Sequence, residues 1–102
     1  MANLSISTEA ALVNFATSIG LASQGDTLSD ARDNAWACRN DCDGRRDAFN
    51  AAINAAHWFS GHNVARATVP RADIIAAHGD KFGFFEKAYR AACAAWAPVA
   101  AL

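Results

Sequence analysis

Apolar residues along the chain recur at helical rather than strand spacing. Period-2 alternation is not sustained anywhere, β-branched clusters are few, and alanine, a poor strand former, is spread throughout. The pattern therefore predicts helices and no sheet. A first helix is expected to start at Ser7 or Thr8 as N-cap, with Glu9 in the first turn, where an anion suits the helix dipole. Leu12, Phe15, Ile19 and Ala22 share one face of it, and Gly20 or Gly25 ends it. A second helix is expected from Thr27, with Asp30 three residues on in the spacing of a capping box. From there Leu28, Ala31, Ala35, Cys38, Cys42, Phe49, Ile53, Ala56 and Ser60 keep nearly one helical phase.

That phase runs through Asp43-Gly44-Arg45-Arg46, which otherwise reads as a turn. Two readings follow: one long central helix over about 28–59, or a helical hairpin broken at Asp43-Gly44. Preserved phase favours the long helix, since a hairpin has no need of register and one internal glycine costs only about 1 kcal/mol. Ser60-Gly61-His62-Asn63 ends the element, and 61–69 reads as a loop. Thr68 or Val69 then caps a short helix with Pro70 at its first position and Gly79 past its end. Asp80 caps a last helix in which Phe82, Phe85, Tyr89, Ala92 and Trp96 share a face. Pro98 is expected to stop it, leaving an apolar tail, Val99 to Leu102. The expected fold is an all-α single-domain bundle of four or five helices spanning 1–102.

Composition sharpens this picture. The 102 residues suffice for one domain, and 53% are apolar. Counted from the sequence, 26 are alanine and only 25 are large apolar residues. That balance excludes disorder, collagen and a disulfide scaffold, and it predicts a thin core with closely spaced helix axes. Charge is near balance at −1, so the global basic field that drives non-specific nucleic-acid binding is missing. The three cysteines, Cys38, Cys42 and Cys93, are an odd number and argue against a closed disulfide framework. The N-terminus lacks a basic region ahead of an apolar stretch, and Ala10 to Gly25 is too short and too polar to span a bilayer. A soluble protein of the reducing cytoplasm is the expectation, with no membrane partner.

Chemistry-bearing residues are sparse. Cys38, Cys42, His57 and His62 fall within a loose zinc spacing. Both cysteines, however, sit in line with an apolar stripe instead of on a knuckle, and buried thiols acting as small hydrophobes account for them better. Asp41-Cys42-Asp43-Gly44-Arg45-Arg46-Asp47 echoes a calcium loop. With Gly44 at the sixth position, it lacks both the opening carboxylate and the closing bidentate one, so i,i+4 charge pairing is the simpler reading. A short helix, a glycine turn and a second helix over 66–90 outline a helix-turn-helix, with Arg66, Arg71, Lys81, Lys87 and Arg90 supplying positive charge. Its would-be recognition helix opens with Asp80-Lys81-Phe82-Gly83-Phe84, where base-reading groups are wanted. No nucleophile motif, carboxylate pair or phosphate-cradling glycine loop is present, so neither an enzyme nor a cofactor is expected.

On a continuous second helix, Trp36 and Trp58 fall opposite the apolar stripe. They are either sandwiched between two layers or offered as anchors to a partner, since tryptophan and arginine dominate interface hot spots. The sequence therefore points to a non-enzymatic helical protein that binds another protein or a second copy of itself. Trp36, Arg39, Asp43, Arg45, Arg46, Asp47 and Trp58 form its candidate surface. Phage and mobile-element genes often encode short alanine-rich inhibitors and accessory factors, an analogy of style that rests on no motif. A helix-turn-helix nucleic-acid module over 66–90 is the alternative, and a metal-binding helical protein comes third.

Overall fold

The computed structural model describes residues 4–38, 43–67, 72, 74, 76 and 80–102, with the side chains of 43, 80–82 and 84 set aside. These residues form an all-helical bundle of four helices: α1 Ile6–Ser18, α2 Leu28–Ala37, α3 Asp43–Gly61 and α4 Asp80–Ala100. Ala72, Ile74 and Ala76 are also helical. The caps expected at Thr68, Val69, Pro70 and Gly79 lie outside the described residues.

α1 starts earlier than expected, because Ser5 instead of Ser7 or Thr8 takes the N-cap and its hydroxyl accepts from the Thr8 N–H. The helix ends in a Schellman motif. Gly20 adopts φ +82, its N–H donates to Thr17 O at 3.2 Å, and the Leu21 N–H donates to Ala16 O at 2.8 Å. This reversal turns Leu21 back into the core, where it is buried. α2 opens with the expected capping box between Thr27 and Asp30.

The long central helix is not found. α2 leaves helical geometry at Cys38 (φ −69, ψ 132), and α3 begins at Asp43. The two helices then meet: Arg46 Nε donates to Ala35 O at 2.7 Å. Eleven residues of continuous helix would put these positions roughly 16 Å apart along the axis, beyond an arginine's reach. The common phase has another cause. Each helix turns its own stripe to one shared core, Ala31 and Ala35 from α2 and Phe49, Ile53 and Ala56 from α3. The break falls ahead of Asp43-Gly44, both of which are helical in α3, so shared register does not make two helices one.

α3 ends in a second Schellman motif, with Asn63 at φ +54 and the Val64 N–H donating to Phe59 O at 2.9 Å. α4 runs antiparallel to α3. The His62 and Phe85 rings are 5.1 Å apart, those of Trp58 and Tyr89 6.0 Å, and Ala51 lines one groove with Ala95. This is the most extensive helix–helix interface of the bundle. Pro98 does not stop α4, which continues to Ala100 and buries Val99. Placed in the last turn, the proline removes a single internal hydrogen bond, and the Ala101 N–H still donates to Ala97 O at 3.1 Å. The core is as thin as composition implies: among the described residues, Ala16, Ala31, Ala35, Ala52, Ala55, Ala56 and Ala92 are buried alongside ten larger apolar residues.

Candidate functional site

The break after Ala37 separates the two tryptophans. Trp36 stands on the outer face of α2 with 81% of its surface exposed. It lines a cleft of about 490 Å³ between α1 and α2, together with Glu9, Leu28, Ser29, Arg32 and Asp33. Arg32 and Asp33 lie one turn before Trp36 on α2, which places both signs of charge beside the indole. Ile6 on α1 is exposed as well, at 88%.

Trp58 is half-buried in an aromatic cluster between α3 and α4. Its ring stacks on His62 at 4.3 Å, meets Phe59 edge-on at 5.7 Å and lies 6.0 Å from Tyr89. The His62 Nδ1–H donates to Trp58 O at 2.9 Å and so caps the end of α3. The two tryptophans therefore do not present a joint surface: Trp58 packs within the bundle and Trp36 projects from it.

The arginines of the charged segment are drawn inward. Arg45 Nη1 donates to Ile19 O at 2.9 Å and Arg46 Nε to Ala35 O, so both carry side chain-to-backbone ties between helices. Asp47 is exposed on α3. Arg39 lies outside the described residues, and so does the side chain of Asp43.

The loose zinc set does not come together as free ligands. Cys38 is half-buried and disulfide-bonded, a correction to its reading as a free thiol, and Cys42 lies outside the described residues. His57 is half-buried near the end of α3 and His62 is engaged with Trp58. Among the described residues, no three His, Cys, Asp or Glu side chains gather as a metal group. Cys93 is the buried free thiol, and burial pushes its pKa up against smaller opposing effects of the Tyr89 hydroxyl and Arg90.

Among the described basic residues of 66–90, Arg66 lies on the segment after α3, whereas Lys87 and Arg90 lie three residues apart on α4. Arg66 Nη1 donates to the Thr8 hydroxyl, and its guanidinium carbon lies 5.3 Å over the Trp96 ring. Arg90 pairs with Glu86 one turn away at 3.0 Å, and Lys87 is exposed. Arg71 and the side chain of Lys81 lie outside the described residues. No helix among the described residues is long and apolar enough to cross a membrane.

Two groupings escaped the sequence reading. The Arg32–Asp33–Trp36 set was visible as consecutive turns of α2, whereas Glu9 joins it only through the α1–α2 packing. The Thr8–Arg66–Trp96 set joins residues 58 and 30 positions apart and has no local signature. Comparison of the chain with protein-family models, curated proteins and solved structures gives no match.

Proposed function

We propose that this is a non-enzymatic helical protein, an inhibitor or accessory factor, that works by binding another protein through the outer face of α2. The observation that carries this reading is Trp36, a large apolar side chain left 81% exposed on a helix whose own core contribution is two alanines. An indole beside Arg32 and Asp33 matches the usual arrangement of an interface hot spot, an apolar anchor within a charged rim. A second copy of the chain is the alternative occupant of this face.

Parallel affinity purification of the wild type and Trp36→Ala from the native host tests the reading. A protein retained by the wild type and lost with the variant, while both show the same thermal melt, supports it. Equal capture by both overturns it. Sedimentation of the two forms separates a homodimer from a foreign partner.

The expectation of a reducing cytoplasm meets an opposing observation in the disulfide at Cys38, because structural disulfides persist mainly in oxidising compartments. Trapping the thiols during isolation and measuring the intact mass decides between the compartments.

A further inference from the structure

A second cleft, of about 720 Å³, opens where the start of α1, the end of α3, residues 64–66 and α4 meet. Its size lies within the range of small-molecule sites, roughly 300–1,000 Å³. Its lining is mixed: more of the exposed surface is polar than apolar, and the apolar part is supplied by Leu4, Ala56, Val64, Ala65 and the edges of the largely buried Phe59 and Trp96 rings. Its polar side chains are Ser5, Thr8, Ser60 and Arg66. Thr8, only 2% exposed, is the buried polar side chain among the described residues. Its hydroxyl accepts from Arg66 Nη1 and shares a 2.8 Å hydrogen bond with the Ser5 hydroxyl.

Arg66 is the charged group of this cleft. Its guanidinium is held over the Trp96 ring, at 5.3 Å from the centroid, and is tied at one nitrogen to Thr8. Among the described residues no carboxylate pairs with it, in contrast to Arg90, which is bound to Glu86. A guanidinium carries five N–H donors in a planar fork that matches a carboxylate. Here the fork is positioned by stacking and by one neutral acceptor, at the edge of the cleft.

We propose that this cleft binds a small organic carboxylate with an apolar, ring-sized body, its anionic end on Arg66 and its body against Phe59 and Trp96. The site uses none of the residues of the Trp36 surface and does not depend on the binding function assigned to that surface.

Titration of the ¹⁵N-labelled protein with benzoate, followed by NMR, tests the proposal, with benzamide and inorganic phosphate as comparison probes. Saturable benzoate shifts are expected at Thr8, Arg66 and the Trp96 indole N–H, with benzamide about tenfold weaker because it lacks the charge. Arg66→Gln should weaken benzoate by about tenfold or more. Ala65→Trp, which keeps Arg66 but fills the cleft from an exposed lining position, should abolish binding without lowering the melting temperature. The proposal is overturned by the absence of saturable shifts or by equal binding of benzamide. Phosphate binding in place of benzoate, or unchanged benzoate affinity in either variant, also overturns it; unchanged affinity in Arg66→Gln would leave Arg66 as a clamp between the 64–67 segment and α1.

Discussion

Trp36 and Trp58 are the same residue on two consecutive helices, and their surroundings differ completely. Trp58 has α4 beside it, which brings Tyr89 to its ring, while its own helix supplies Phe59 and His62. Trp36 makes no ring contact among the described residues, and its cleft is lined by Leu28 and by charged and polar side chains. α3 contributes Phe49, Ala52, Ile53, Ala55, Ala56 and Phe59 to the core, whereas the ten residues of α2 contribute Ala31 and Ala35. The bundle's stability therefore rests on the α3–α4 pair. α2 is held by its caps, by two buried alanines with the half-buried Leu28 and the disulfide-bonded Cys38 beside them, and by Arg46. A bulky residue exposed on the least anchored helix adds little to folding, which is why its presence speaks for a contact outside the chain.

The comparison can be broken or sharpened by substitution. The largest effect is expected on the α3–α4 side: Phe59→Ala, fully buried under the aromatic cluster, should cost about 3–5 kcal/mol in denaturant unfolding. Trp58→Ala should cost about 2 kcal/mol, from partial burial and the lost ring contacts. A cost near zero would make Trp58 equivalent to Trp36 and dissolve the contrast.

Gly20→Ala probes how α1 is turned toward its neighbours. It places a side chain at φ +82 and a Cβ 2.9 Å from Arg45 Nη1, and should cost about 1–2 kcal/mol by thermal melting. A smaller effect is expected at the start of α2. There the Thr27 backbone N–H and hydroxyl hold the pKa of Asp30 below its ordinary value. A lowered folded-state pKa contributes stability above the unfolded carboxylate range and loses it as pH falls through the folded value. Acid titration followed by circular dichroism should therefore show the wild type losing helix at low pH, with the step reduced in Asp30→Asn. Last comes Trp36→Ala, expected within about 0.5 kcal/mol of the wild type. A loss of several kcal/mol would show that Trp36 belongs to the fold after all.

Local signals in the sequence proved informative wherever one residue type dictates backbone geometry. The Thr27–Asp30 box, the reversal at Gly20 and the stop at Ser60 to Asn63 were all legible. So was the α4 face of Tyr89, Ala92 and Trp96. The break between α2 and α3 was legible only as the less favoured alternative, and at Asp43-Gly44 instead of ahead of it, because stripe register carries no information about whether two helices are one. The ties from Arg45 and Arg46 to backbone were equally hidden, because the carbonyls they reach belong to helix ends brought near only by tertiary packing. Thr8 lay on a helix start and read as a cap. Its burial beneath Arg66 depends on a chain segment 58 residues away.

Those two arginines have a further consequence for the conditions the molecule tolerates. The bonds from Arg45 to Ile19 O and from Arg46 to Ala35 O end on backbone carbonyls, which do not titrate and carry no net charge. Salt screening weakens such ties less than it weakens a pair of exposed ions, and the acid that protonates Asp30 leaves their acceptors unchanged. These two ties from the first turn of α3 to the ends of α1 and α2 therefore rest on acceptors that neither acid nor salt alters.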